Sequence, residues 1–285
     1  MIPAICTAIA IIAIVLLWVV LYDTHHFVVV RHSFSSNKVR KSTRLVMLSD
    51  LHNYQYGKEN IQLIKAIEKE KPDMIVLAGD MITADYKEKF TSTMELLKRL
   101  KENYPIYYAY GNHEEKICLY KQRYGYMGDT FLKELKEIGI EPFYNAHAVF
   151  NDRGIALYGL CIEYDYYQRF TTKPMPDHYL EGLIGKADEN YYDVLLAHNP
   201  EYFPKYAVWG ADLVLSGHIH GGIVRLPFLG GVISPSIRFF PKYDGGLFQI
   251  EKTHMVLGRG IGTHKPSVRV FNPAELIVVD LEPET

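Results

Sequence analysis

Five short apolar runs in this chain each end directly in polar residues, and this recurrence limits the possible folds more than any other feature. A short apolar run bounded by glycine, asparagine or aspartate is typical of a buried β-strand. The run ends are Asp50-Leu51-His52, Gly79-Asp80, Gly111-Asn112-His113-Glu114, Ala197-His198-Asn199 and Gly217-His218-Ile219-His220-Gly221-Gly222. A lone His-x-His motif is weak evidence for a metal site, but five such strand ends are difficult to attribute to chance.

The order of the predicted elements indicates an α/β fold. Strands over residues 44–49, 74–78 and 106–110 alternate with amphipathic helices over 59–71 and 87–101. This alternation favours a parallel sheet covered by helices. The remaining predicted elements are a helix over 129–138, short strands over 148–150, 155–158 and 160–162, a helix over 177–190, buried strands over 193–197 and 212–216, and β-like runs over 247–281.

The polar strand ends predict a metal site, because the carboxyl ends of strands in an open α/β sheet gather at one edge. The candidate ligands are Asp50, His52, Asp80, Asn112, His198, His218 and His220. Carboxylate, imidazole and amide oxygen together suit Mn²⁺, Fe or Zn²⁺ better than Ca²⁺. Seven candidate ligands are too many for one ion, and two ions about 3.5–4 Å apart with a bridging carboxylate would use them.

In this order the five motifs resemble those of the calcineurin-like metallophosphoesterase superfamily, over roughly residues 44–222. The resemblance implies a four-layer α/β/β/α sandwich and hydrolysis of a phosphate ester by a hydroxide that bridges two divalent metal ions. It also implies a role for each motif residue: Asp50, His52 and His220 hold the first metal, Asn112, His198 and His218 hold the second, Asp80 bridges them, and His113 is the general acid. His113 has the alternative role of positioning Asp80 or a phosphate oxygen, and Glu114 is expected to have a supporting structural role.

The membrane-anchored, single-domain form resembles a bacterial branch that includes proteins similar to the UDP-2,3-diacylglucosamine pyrophosphohydrolases. Two departures from that branch leave the substrate open: Ile223 stands where glutamine is frequent, and Met81-Ile82-Thr83 follows the Gly-Asp motif. The expected substrate is therefore a phosphodiester, phosphomonoester or pyrophosphate, lipid-linked or nucleotide. The alternatives are a phosphoprotein phosphatase, although the chain has no obvious regulatory segment, and a non-catalytic metal-binding scaffold, although such a protein usually loses ligands.

The first 22 residues contain no charged side chain and predict a transmembrane helix. At 1.5 Å per residue such a helix spans roughly 33 Å, enough to cross a hydrocarbon core of about 30 Å. Trp18 and Tyr22 lie near its end, where aromatic side chains favour the membrane interface. A cleaved signal peptide is the competing interpretation, but no basic residue precedes the run and no small-x-small site ends it.

The basic residues after this run predict the membrane orientation. Arg31, Lys38, Arg40, Lys41 and Arg44 follow the run and none precedes it, which places the following domain in the cytoplasm at the cell membrane. The expected division is a transmembrane helix over 1–22, a polar juxtamembrane linker over 23–43 and a phosphoesterase domain over 44–285. Within the linker, residues 28–30 are the one run that could begin an edge strand.

Composition adds two limits. A net charge of −2 gives no support for a partner that is a nucleic-acid polymer, and 48% hydrophobic residues in 285 suffice for one large core. The segment 225–242 is both apolar and basic and is interrupted by proline and glycine. It predicts either a loop folded onto the core or a flap that meets the membrane and admits a lipid-borne ester.

Overall fold

The computed structural model describes residues 2–87, 89–168, 171–226, 228–234, 239–263 and 267–284. Its helices are α1 (Ile2–His25), α2 (Ile61–Glu70), α3 (Thr91–Lys101), α4 (Asn112–Leu119), α5 (Lys121–Tyr124), α6 (Met127–Glu137), α7 (Tyr179–Ile184) and α8 (Phe203–Trp209). Its strands are β1 (Phe27–Ser36), β2 (Thr43–Leu48), β3 (Met74–Ala78), β4 (Ile106–Ala109), β5 (Ala146–Phe150), β6 (Ile155–Leu160), β7 (Tyr192–Ala197), β8 (Leu213–Ser216), β9 (Val224–Leu226), β10 (Gly230–Ile233), β11 (Gly246–Ile250), β12 (Thr253–Leu257) and β13 (Ala274–Pro283).

Two main sheets pack face to face. The first has the strand order β1-β13-β2-β3-β4 and the second has the order β11-β12-β8-β7-β6-β5. Strands β2, β3 and β4 are parallel, as are β12, β8, β7 and β6. A short antiparallel pair, β9 and β10, lies outside both sheets.

The apolar side chains of both sheets make a core between them, in which Met47, Val76, Leu157 and Leu196 are almost fully buried. Helices α2, α3 and α6 cover the outer face of the first sheet, through residues such as Ile67. Helices α7 and α8 cover the outer face of the second. The result is the predicted four-layer α/β/β/α sandwich, in which each sheet buries one face against the other and one against helices.

The segment 23–43, expected to be a linker, is largely part of the domain. Strand β1 pairs with β13 along ten residues, from Phe27 opposite Ala274 to Ser36 opposite Pro283. The alternative that residues 28–30 begin an edge strand is therefore confirmed, because β1 is the outermost strand of the first sheet. Its side chains largely alternate between half-buried and exposed, because only one face of this strand packs on the core. Together with the serines, this alternation made the segment resemble a linker.

The direction of β1 places α1 at a particular edge of the first sheet. Strand β13 runs antiparallel to β2, and β1 runs parallel to β13. Strand β1 therefore begins at the edge where β2, β3 and β4 end, and α1 joins the domain there. The basic residues from Lys38 to Arg44 lie at the opposite edge, where Lys38 bonds Asp212 at 2.8 Å and Arg44 bonds Asp280 at 2.6 Å.

Several other elements differ from prediction. The helix expected over 177–190 is only Tyr179–Ile184, because Gly185 ends it with a left-handed φ of 78°. The helix expected over 87–101 begins at Thr91, with residue 88 outside the described residues. Helices α4, α5 and α8 were not predicted, and α4 begins at the Gly-Asn-His-Glu motif itself. Of the segment expected to be a loop over 225–242, residues 227 and 235–238 lie outside the described residues and the rest includes β10 and part of β9.

Candidate metal centre

The predicted ligands lie at the carboxyl ends of strands from both sheets. Asp50 and His52 follow β2, Asp80 follows β3, Asn112 begins α4 after β4, His198 follows β7, and His218 and His220 follow β8. The φ angles of Asp50, His52, Asp80, His218 and His220 lie between 49° and 76°, in the left-handed region that non-glycine residues rarely adopt. Such strain persists where the surrounding structure enforces it and is frequent at functional sites.

Six of the seven candidate ligands and His113 form three overlapping clusters. The clusters are Asp50 with His52 and His220, Asp80 with His198 and His218, and Asp80 with His52 and His113, and the candidate atoms of each lie within 4.8 Å of one another. The Oδ2 atom of Asp80 is 3.1 Å from Nε2 of His198 and 4.0 Å from Nε2 of His52. Asp80 therefore lies between two groups of ligands.

Asn112 belongs to the same place through its neighbours in the chain. The backbone N–H of His113 donates to Oδ1 of Asp80 at 2.8 Å. On the other side, Gly111 lies so close to Asp80 that a side chain there would collide with the carboxylate. The amide oxygen of Asn112 is buried and accepts no hydrogen bond from a described residue. A buried acceptor of this kind suits a cation.

The site concentrates charge in a dry interior. Asp50 and His198 are at most 1% exposed. Burial raises the pKa of Asp50 to about 6, although His198 acts against it. Burial also acts to raise the pKa of Asp80, but His198, His113 and His52 hold it well below its usual range.

His198 shows the same need for positive charge. Burial lowers its pKa, but the carboxylates of Asp80 and Asp50 outweigh burial and raise the pKa to about 10. Its Nδ1 lies 2.6 Å from the carbonyl oxygen of Ala78. A donated Nδ1–H at that oxygen directs Nε2 toward Asp80, and a metal held there would take the Nε2 lone pair in place of the proton. The donor set therefore fits divalent cations: two carboxylates, four imidazoles and one amide oxygen at the ends of two sheets.

Glu114 fixes the two loops that carry Asp80 and Asn112. Its buried carboxylate accepts hydrogen bonds from the N–H groups of Asp80, Met81 and Gly111, at 2.8, 2.9 and 2.9 Å, and from the hydroxyl of Tyr108 at 2.7 Å. Burial and the Asp80 carboxylate raise the pKa of Glu114 to about 7 against these bonds. The expected supporting role of Glu114 thus has a definite form: one side chain holds the end of β3 against the start of α4.

The tail contributes two side chains that the sequence pattern did not indicate. Asn272 donates through its amide to the carbonyl oxygens of His220 and Gly222, at 2.7 and 2.6 Å. Arg269, 3% exposed, donates to the carbonyl oxygens of Gly260 and Gly262. The N–H of Gly262 in turn donates to the carbonyl oxygen of Asp50 at 2.9 Å. These residues hold the backbone of the ligand loops from the side of the tail.

An aspartate and histidine cluster at the joined edges of an α/β/β/α sandwich is typical of metal-dependent phosphoesterases. The family model of the calcineurin-like phosphoesterases matches residues 43–222, and the chain belongs to that family. Membership confirms the resemblance that the motifs indicated. By family the chain is a phosphoester hydrolase, and its candidate metal ligands are clustered.

Several bacterial and animal proteins are similar over most of this chain. The uncharacterized metallophosphoesterase YkuE of Bacillus subtilis is 28% identical over 84% of this chain and 79% of its own length. The phosphodiesterase YaeI of Escherichia coli is 27% identical over 83% of this chain and 82% of its own length. A zebrafish transmembrane protein with metallophosphoesterase domain is 29% identical over 84% of this chain, which corresponds to 53% of that protein.

Replacing Glu114 by Gln is expected to lower the free energy of unfolding by about 3 kcal/mol, because the amide turns a donor toward buried N–H groups that need an acceptor. It should also reduce the metal bound per chain, because Asp80 and Asn112 lose their support. The control is Glu137→Gln on the exposed side of α6, which should stay within about 0.5 kcal/mol of the original. Urea unfolding and elemental analysis of the full chain in detergent measure both effects, and equal stability and metal content in the two variants would contradict the role given to Glu114.

Proposed function

We propose that this protein is a dinuclear metal-dependent phosphoesterase. The observation that carries the proposal is the position of Asp80 between two clusters, Asp50 with His52 and His220 on one side and His198 with His218 on the other. In this proposal Asp50, His52 and His220 hold one divalent ion, Asn112, His198 and His218 hold the second, and Asp80 is shared. The ligand types fit Mn²⁺, Fe or Zn²⁺.

When bound at these residues, two divalent ions would supply a water of lowered pKa and would offset negative charge on the oxygens of the phosphoryl group. The chain's own residues do the rest of the work. The Asp80 carboxylate keeps the two ligand groups together, and its low pKa keeps it charged at neutral pH. The imidazoles of His52, His198 and His220 are buried, and in such a dry surrounding electrostatic interactions are stronger than in water.

His113 is proposed to donate a hydrogen bond to the substrate. The N–H of Ala84 donates to Nδ1 of His113 at 2.7 Å, so the ring proton is on Nε2. That Nε2 lies 4.0 Å from Oδ2 of Asp80, at the mouth of the cluster. Protonation of Nδ1 would break the bond to Ala84. In the proposal the ring takes up a second proton before turnover and gives its Nε2 proton to the leaving oxygen as that oxygen gains charge, which restores a neutral imidazole.

The proposed substrate is a phosphodiester, phosphomonoester or pyrophosphate in a lipid-linked or nucleotide compound at the membrane. The name of the phosphodiesterase YaeI supports a diester among these classes. An 18-residue window within Pro3–His25 of α1 has a mean hydropathy of 3.0, which by length and composition permits a membrane span. We propose a single-pass anchor that keeps the domain in the cytoplasm, since the basic residues follow α1. Retention of α1 is supported by burial of Asp23 and Thr24 against the domain.

Replacing Asp80 by Asn should lower metal-dependent turnover of bis-p-nitrophenyl phosphate by at least about a hundredfold, because even residues that only orient ligands typically cost about 10–100-fold. The full chain in detergent would be stripped of metal and reloaded with Mn²⁺, Fe²⁺ or Zn²⁺. Asp152→Asn, in the exposed turn between β5 and β6, is the matched control and should retain activity. Wild-type chain that binds metal but hydrolyses no ester, or an Asp80→Asn variant with normal turnover, would refute the proposal.

Replacing His113 by Gln should slow hydrolysis in proportion to the basicity of the leaving group. An alkyl phosphate ester is expected to lose about 10²–10⁴-fold, because its leaving oxygen needs a proton. A p-nitrophenyl ester should lose much less, because p-nitrophenolate leaves without one. The metal bound per chain should be the same in the variant as in the original protein. An equal loss for both esters would assign His113 to positioning Asp80 or a phosphate oxygen instead.

A further inference from the structure

The helix α1 enters the domain at the edge that carries the metal ligands. This follows from strand direction, because β1 begins where β2, β3 and β4 end. Trp18 and Tyr22, whose rings stack 5.5 Å apart, are 62% and 46% exposed on the last turns of α1. Aromatic side chains at that level of a spanning helix favour the membrane interface. The metal edge is therefore the part of the domain nearest the bilayer.

The end of α1 is fixed to this edge by two hydrogen bonds, one buried and one partly buried. The carboxylate of Asp23 accepts from the N–H of Asn272 at 2.9 Å, and the hydroxyl of Tyr54 donates to the carbonyl oxygen of Thr24 at 2.8 Å. Asn272 also bonds the loop of His220 and Gly222. One residue thus contacts both the helix end and a ligand loop, which leaves little freedom for the domain to turn its metal edge away from the membrane.

Exposed apolar side chains lie beside this junction. We call them the apolar rim: Leu226, Phe228, Leu229, Phe239, Phe240 and Phe271. Strand β9 begins two residues after Gly222, and Val224 bridges Val270 in the segment that leads to Asn272. Phe239 bridges Ile233 at the end of β10. The rim, the ligand loop after β8 and the end of α1 are therefore one hydrogen-bonded unit.

The apolar rim exposes aromatic surface and strains the backbone, and no contact within the described residues offsets these unfavourable free energies. Phe228 is 108% exposed and Phe240 is 61% exposed, so both leave aromatic surface in water. Their φ angles are 68° and 47°, where glycine or asparagine is usual and a phenylalanine is strained. Exposed aromatic side chains at strained turn positions are explained by a partner outside the chain that takes up their apolar surface.

We infer that the apolar rim lies on the bilayer that α1 crosses, so that the metal centre opens at the lipid surface. This rests on the proposed membrane span of α1 and extends the proposed function, because the phosphoester within reach is then one carried in a lipid headgroup. The occupant is a bilayer because the rim is continuous with α1 and its interfacial aromatic residues. Side chains of this kind enter the boundary between headgroups and acyl chains by about 5–10 Å.

The test places a new tryptophan on the rim of the full chain in phosphatidylcholine nanodiscs, with and without bromine on the acyl chains. The variants are Phe228→Trp and Phe240→Trp. The matched control is Val149→Trp. Val149 is 41% exposed and pairs with Ala156 near the start of β6, at the edge of its sheet away from the candidate ligands. Emission of the unchanged protein, which comes from Trp18 and Trp209, is subtracted, and the fraction of it that brominated lipid removes reports membrane insertion of Trp18 in every sample.

Brominated lipid is expected to remove most of the added emission of Phe228→Trp and Phe240→Trp and none of that of Val149→Trp. Rim emission that is as unquenched as the control, with Trp18 quenched, would overturn the inference. Rim emission that is blue-shifted but unquenched would also overturn it, because another protein or a second copy of the chain would then cover the rim. An unquenched Trp18 would refute the proposed membrane span of α1. Metal-dependent turnover in the same nanodiscs tests the proposed phosphoesterase activity separately.

Discussion

The structure depends on the charge that is buried where the two sheets meet. Asp50 and Asp80 are withdrawn from water together with His52, His198 and His220. Carboxylates so placed are costly unless positive charge accompanies them, and without metal the site can obtain it only by binding protons. That need explains the raised pKa of His198 and the lowered pKa of Asp80. Divalent cations satisfy the same need and leave the imidazoles neutral as ligands.

The rest of the fold keeps these charged side chains close together despite the repulsion between like charges. Parallel strands of both sheets bring the ligands to one edge, and the ligand residues adopt left-handed φ angles there. Glu114 ties the loop after β3 to α4, and Asn272 ties the loop after β8 to the end of α1. The end of α1 and the ligand cluster therefore share a support, so the position of α1 and the orientation of the site are linked.

Much of the sandwich and the clustering of the candidate ligands could be predicted from sequence, because buried strands are apolar runs and the candidate ligands directly follow them. The full length of strand β1 was not predicted, because its partner among the described residues, β13, lies 247 residues later (274 − 27) and its basic and serine residues resemble a linker. Asn272 and Arg269 were missed because single polar residues in a tail have no periodicity, and their roles depend on carbonyl groups that only the fold brings near. The position of the apolar rim beside α1 could be recognised only once the direction of β1 was known.

The most direct test of the account is anomalous diffraction from crystals of the full chain grown with Mn²⁺ or Zn²⁺. The account predicts two anomalous peaks about 3.5–4 Å apart, one on each side of the Asp80 carboxylate. One peak would be next to Asp50, His52 and His220, and the other next to Asn112, His198 and His218. A single peak at full occupancy, or peaks that leave Asp80 without a metal, would contradict a dinuclear centre.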